Sequence, residues 1–302
     1  MRFIGEAIDS VLQQDLAADE IVVVDDGSTD WDYSALEALA PNIKVISQAN
    51  SGVSAARNRG CEVARGPYVA ILDADDIWLP GKLRAQMQHL ARHPTLDAVF
   101  ASGLGWEPVA GGDTWVRPAV VAGPKPSEAS AVRLYYRDFL YEIPIASSTM
   151  IVKKATWEAI GGFNESKRYG EDQDFNLRLS YAHSVDLLKF VGMLYRKHGN
   201  NATARVQDAN HWADVVRESL NERGYSDRHG VQADVGRVAR RLGEIHFLHG
   251  YDHFWRGSSQ VARREFTRAL KKNPRDLRSA AYLAMTCIPG VQLLASRRNS
   301  AL

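Results

Sequence analysis

Apolar residues along this chain recur at two alternating periods. From residue 3 to 12, Ile4, Ala7, Ile8, Val11 and Leu12 fall on one helical face. "EIVVVDDGS" follows, and its unbroken run Ile21 to Val24 predicts a strand buried on both faces of a parallel sheet. "NIKVISQ" predicts a second strand. "SGVSAARNRGCEVARG" predicts a helix that starts near Ser51 or Ser54 and stops by Gly66. "PYVAILDADD" is a third strand. "LPGKLRAQMQHLARHP" is a helix with Pro80 in its first turn and Leu83, Met87 and Leu90 on one face. Residues 102–130 are rich in Gly, Pro and Ser and predict an excursion without regular structure. "SSTMIVKKATWEAIGGF" then gives a strand and a helix stopped at Gly161. "EDQDFNLRLSYA" gives a helix with Phe175, Leu179 and Ala182 on one face, and "VDLLKFVGMLYRKHG" gives one or two strands. Beyond about residue 205 only helices are predicted. Alternating helices and strands imply an α/β fold, a mixed, mainly parallel sheet flanked by helices. Two domains are expected, 1–205 and an all-helical 206–302.

Composition narrows the class. Of 302 residues, 45% are apolar and 24% charged, which suits a globular protein with a real core. A net charge of +1 gives no bias toward nucleic acid. Cys61 and Cys287 lie too far apart for a metal-ligand spacing and point to a reduced compartment. The first residues lack the apolar core of a signal peptide. No apolar run approaches the roughly 18 residues that span a bilayer. These features predict a cytoplasmic protein, soluble or peripheral at the inner face of the plasma membrane. Residues 233–302 carry 13 Lys and Arg against 5 Asp and Glu. That excess could favour an anionic membrane surface or a protein partner, or form a solvated basic face.

The chemistry lies at strand ends, where open α/β sheets bind ligands. Asp25 and Asp26 close one strand; Asp73, Asp75 and Asp76 close another. Carboxylates this close resist burial unless a cation compensates. Hard oxygen ligands suit Mg²⁺ or Mn²⁺, which often bridges to phosphates. Each aspartate taken alone could equally be a helix cap, and Asp76 fits a cap for the helix near Pro80.

"VVVDDGSTD", "NSGVSAARNRG", "ILDADDIW", "GGFNE" and "GEDQDFNLRL" occur in that order. Together they resemble the family-2 inverting glycosyltransferases with a GT-A fold, over roughly residues 3–205. The resemblance implies a sugar moved from a nucleotide-diphosphate donor, most readily a UDP-sugar, to a hydroxyl on a glycan or lipid-linked acceptor in glycan or surface polysaccharide synthesis. It implies nucleotide-binding roles for Asp26, Arg57, Asn58 and Asp73. A uracil imide N–H would suit the Asp26 carboxylate. It implies Mn²⁺ or Mg²⁺ at Asp75, with His198 of "YRKH" as a further ligand. It implies catalytic roles for Glu171 and Asp172, the aspartate as general base. Trp78, Trp106 and Trp157 could stack on sugar rings or fill the core.

Relatives begin with a strand of the type "SVIIPTYN", whereas this chain opens at the helix that holds "SVLQQ". That departure keeps a non-catalytic binding or scaffold protein as an alternative. A sugar nucleotidyltransferase would need an N-terminal Gly-rich phosphate loop, and none is found. Residues 254–285 resemble a tetratricopeptide-type helix pair, with Ala262, Phe266, Ala269, Leu270 and Pro274 at the pattern's small, aromatic and turn positions.

Overall fold

The computed structural model describes residues 3–109, 114–116, 125–142, 145–199, 201 and 205–288. They form two compact units, one from Met1–Tyr135 with Pro144–His198, the other from Tyr136–Ile143 with Gly199–Leu302.

In the first unit, α1 (Ile4–Leu12) is followed by β1 (Ile21–Asp26), which pairs in parallel with β2 (Ile43–Gln48). These two strands form a sheet of their own. Every residue of β1 is half-buried, although its continuous apolar run predicts full burial. One face meets Ile8, Leu36 and Ile43. The other meets α2 (Val53–Val63), so closely that a Cβ on Gly60 would sit 3.3 Å from Val24 Cγ2.

The larger sheet runs β3 (Tyr68–Ala70), β7 (Met150–Lys153), β5 (Ala98–Trp106), β8 (Val185–Arg196), β4 (Ile77–Trp78), with β6 (Ala131–Leu134) along β8. It is mixed: β5 and β8 are parallel, and the other pairs are antiparallel. Its core joins Val99, Ala101, Ile151, Leu188, Phe190 and Met193 to Leu83 and Leu90 of α3 (Lys82–Arg92). The helix α3 starts after Gly81, whose φ of 82° needs glycine, rather than at Pro80. Residues Ser102 to Trp106, expected in an irregular excursion, instead extend β5. Their glycines alternate with Leu104 and Trp106, a period-2 pattern that the Gly-rich composition masks. Residues 110–113 and 117–124 of that stretch lie outside the described residues. The helices α5 (Lys154–Ala159) and α6 (Glu171–Ala182) complete this unit.

The second unit holds α4 (Tyr136–Tyr141), α7 (His211–Arg223), α8 (Val235–Arg256), α9 (Ser259–Lys272) and α10 (Leu277–Met285). Ala262, Phe266 and Ala269 of α9 are fully buried. They face small residues on α8: a Cβ on Gly250 would come within 2.9 Å of the Phe266 ring, and one on Gly243 within 3.3 Å of the Ala269 carbonyl. Among the described residues no helix is long and apolar enough to cross a membrane.

Candidate active site

The strand β3 ends at Ala70, three residues short of the acids it was expected to carry. Asp73 to Asp76 form a tight turn closed by the Asp76 N–H donating to the Asp73 carbonyl (3.1 Å). Because β7 runs antiparallel to β3, its start lies beside this turn. The 3-10 turn Ser147–Thr149 leads into β7, and the Asp73 N–H donates to Ser148 Oγ (3.1 Å).

Arg57, in the second turn of α2, binds three acids. Its Nε and Nη2 grip Asp73 (2.8–3.2 Å), while Nη1 donates to Asp172 Oδ1 (2.7 Å) and Glu171 Oε1 (3.1 Å). The cation that compensates these half-buried carboxylates is therefore a guanidinium. Arg57 is 10% exposed and its charge lies over the Phe163 ring at 5.2 Å. Glu171 and Asp172 open α6 after Gly170, where the helix dipole favours negative charge. Ser147 Oγ also donates to Asp172 Oδ1 (2.7 Å). Asp172 Oδ2 accepts no hydrogen bond among the described residues.

Three acids on one guanidinium leave surplus negative charge. Burial, and Asp172 beside it, push the Glu171 carboxyl up to about 7 against the pull of Arg57. Burial also raises Asp73, opposed by Arg57 and aided by Asp172 and Asp75. The expected cap role of Asp76 is not what the structure has. Asp76 is buried, accepts from Ser148 Oγ (2.7 Å) and the Arg196 N–H (3.2 Å), and is pushed up to about 8 by burial with Asp73 adding.

Asp75 meets His198 Nε2 at 2.9 Å. A carboxylate and an imidazole in contact suit a divalent cation that draws its other ligands from phosphate oxygens and water. Among the described residues no group of three or more His, Cys, Asp or Glu could hold a metal. Asp75 and His198 supply two ligands, and a divalent cation there would draw the rest from water or a bound ligand.

Asp26 lies at the N-terminus of α2, accepting from Gln48 Nε2 and from the N–H groups of Ser51 and Gly52, each at 2.8 Å. Burial opposes ionisation, but these donors outweigh it and lower the carboxyl below its usual range. Three donors leave one of roughly four acceptor positions open. Asn58 turns away from the acids. Its amide is spent on the turn after α5, donating to the Phe163 carbonyl (2.9 Å) and Glu165 (2.8 Å) and accepting from the Phe163 N–H (2.8 Å). Trp78, Trp106 and Trp157 are all buried, so none offers a face to a sugar.

Two parts of the site carry no motif. Ser147 and Ser148 are signalled only by hydroxyl residues before a strand. Arg196 is 1% exposed; its Nε donates to the Asp75 carbonyl (3.0 Å) and its Nη2 to Glu6 (3.1 Å). Its guanidinium sits over the rings of Phe3 and Trp106, each at 4.4 Å, and of Trp115 at 5.3 Å. An arginine in an aromatic cage thus holds the backbone of Asp75.

The family described as Glycosyl transferase family 2 matches residues 2–126. Hyaluronan synthase of Pasteurella multocida is 26% identical over 232 residues, 74% of this chain, and the chain spans 22% of that protein's length. S. aureus TarS 1-349, solved in complex with UDP-GlcNAc, shares the fold with a TM-score of 0.60 at 18% identity, covering 98% of this chain and 86% of that one. The mannosyltransferase PcManGT of Pyrobaculum calidifontis, in complex with GDP-Man and Mn²⁺, gives 0.58 at 18% identity, covering 99% and 83%. The mixed sheet with its flanking helices is the GT-A architecture these structures share, and the match to glycosyl transferase family 2 covers residues 2–126, the part of the chain that holds Asp26, Arg57 and the Asp73 turn.

Proposed function

We propose that this chain is an inverting glycosyltransferase moving a sugar from a nucleoside-diphosphate donor, of the UDP type, to a hydroxyl acceptor in glycan or surface polysaccharide synthesis. The observation that carries the proposal is the convergence on Arg57 of Asp73, Glu171 and Asp172, acids 114 and 115 residues from Arg57 in the case of the last two. Relatives of the same fold bound to UDP-GlcNAc and to GDP-Man with Mn²⁺ support a nucleotide-sugar donor.

In this reading Asp172 is the general base. Ser147 and Arg57 fix its Oδ1, and its Oδ2 takes the proton of the acceptor hydroxyl as that oxygen attacks the anomeric carbon. Arg57 orients Asp172 and Asp73 together, so one side chain aligns the base with the donor-binding edge. Glu171, pushed up to about 7 by burial and by Asp172, carries a proton for part of the time near neutral pH and so lowers the negative charge facing the donor phosphates. The remaining acceptor position on Asp26 takes an imide N–H of the base. A divalent cation at Asp75 and His198 would supply charge for the departing diphosphate.

The test incubates the chain with UDP-hexoses, UDP-N-acetylhexosamines and GDP-mannose in Mn²⁺ or Mg²⁺. It measures nucleoside diphosphate release and the product's anomeric configuration by proton NMR. Release with inversion, lost in Asp75→Ala, is expected. Release with retention, or unchanged release in Asp75→Ala, would overturn the mechanism.

A further inference from the structure

Arg196 closes β8 with its guanidinium out of water, the residue being 1% exposed. We propose that Arg196 is a positioning residue for the divalent cation, and that with the ring of Phe3 it sets the gap between the Asp75 carboxylate and the His198 imidazole. The proposal rests on the cation site of the glycosyltransfer reading above.

The register brings these residues together. β4 and β8 are antiparallel, with Ile77 opposite Leu194. Carried two residues further, that register sets Asp75 opposite Arg196. Arg196 then grips the acidic turn at two successive residues. Its Nε donates to the Asp75 carbonyl (3.0 Å) and its backbone N–H to Asp76 Oδ1 (3.2 Å). His198 follows two residues on, with its Nε2 at 2.9 Å from Asp75 Oδ2. The ring of Phe3 lies against both, 4.4 Å from the Arg196 guanidinium and 5.1 Å from the His198 ring. One aromatic ring thus supports the clamp on Asp75 and the imidazole that Asp75 meets.

Packing alone does not call for a guanidinium here. A buried ion pair often gives way to apolar side chains with no loss of stability. The carboxylate facing Arg196, on Glu6, is 46% exposed, so water screens the pair. Trp106 at 4.4 Å and Trp115 at 5.3 Å add ring faces. Trp106 Nε1 donates to the Val116 carbonyl (2.9 Å), which ties residues 114–116 to the same cage. What an apolar side chain at 196 would not supply is the N–H on the Asp75 carbonyl. A cation with two protein ligands depends on their spacing. Groups that hold metal ligands in place change metal affinity by about 10- to 100-fold.

Manganese titration followed by electron paramagnetic resonance, on the full chain with saturating UDP, tests this. Arg196→Lys keeps the charge and loses the planar Nε–H donor; it should weaken Mn²⁺ binding at least about tenfold. Phe3 is half-buried at the start of α1, so Phe3→Leu leaves the sheet core intact. It should also weaken Mn²⁺ about tenfold. Phe3→Tyr keeps the ring and should stay within about twofold of wild type. UDP affinity without metal, measured by calorimetry, should be the same in every folded variant. Equal Mn²⁺ affinity in wild type, Arg196→Lys and Phe3→Leu overturns the positioning role. Should Arg196→Lys fail to fold, the Phe3 pair decides, and equal affinity in Phe3→Leu and Phe3→Tyr overturns it. A wild type that binds UDP but no Mn²⁺ overturns the cation site of the glycosyltransfer reading itself, and the positioning role falls with it.

Discussion

Each unit of this molecule buries a charged network, and the two are built on opposite stoichiometries. In the helical unit one carboxylate has four donors. Glu265 is fully buried and accepts from His246 (2.7 Å), Asn210 (3.0 Å), Arg268 (2.7 Å) and Arg264 (3.3 Å). Burial would raise its carboxyl, but His246 and Asn210 prevail and bring it down to about 2. In the sheet unit three carboxylates share one guanidinium, and Glu171 goes up to about 7. A surplus of donors fixes one ionisation state and locks α7, α8 and α9 together. A surplus of acids leaves a proton and a charge still to be placed. That is the electrostatic condition of a reactive site rather than of a lock.

Arg57→Ala should break the contrast most. It leaves three half-buried acids without a cation and should cost about 3 kcal/mol by chemical denaturation, the low end for breaking a buried pair. The loss should shrink on acidification, as the acids take up protons. Glu265→Ala should destabilise by about 2–3 kcal/mol, because it strands His246 and Asn210 in the interior. It should leave nucleoside diphosphate release by the folded protein within about threefold of wild type.

The pH dependence should divide in the same way. The Glu265 carboxyl is lower in the folded chain than its ordinary 4.5, so its contribution is present above that value and lost as pH falls toward about 2. Glu171 is higher when folded, so its contribution is full below 4.5 and lost as pH rises through about 7. Asp76 follows the Glu171 pattern, its loss extending through about 8. Each window is readable in denaturation midpoints against pH, the Asp76 one being the widest. The smallest effect should come from Ser147→Ala, which frees Asp172 from one of its two restraints. It should lower kcat about tenfold and leave the donor KM unchanged.

The strands and helices that carry the site were legible because their apolar periods are strong, and the acids at their ends were legible as a group. The assignment of individual roles was less so. Arg57 and Asn58 are neighbours in one motif, yet successive helical residues point about 100° apart. One therefore meets the acids and the other the turn at Phe163. Trp78 and Trp106 could have been sugar platforms or core; the fold turns Trp78 onto the Ser148 carbonyl (2.7 Å) and Trp106 onto Arg196. Arg196 itself was invisible, since its partners Glu6 and Asp75 lie 190 and 121 residues away. Local pattern fixes where a side chain starts. Which distant side chain it meets depends on topology, here on β7 running back beside the Asp73 turn.

The most direct measurement is Asp172→Asn, which keeps the shape of the Arg57 cluster and removes the base. Nucleoside diphosphate release from the accepted donor should fall at least about a thousandfold, with donor affinity by calorimetry within about threefold of wild type. Release kept within about threefold, at unchanged donor affinity, would contradict the assignment of the Arg57-centred acids as the catalytic centre.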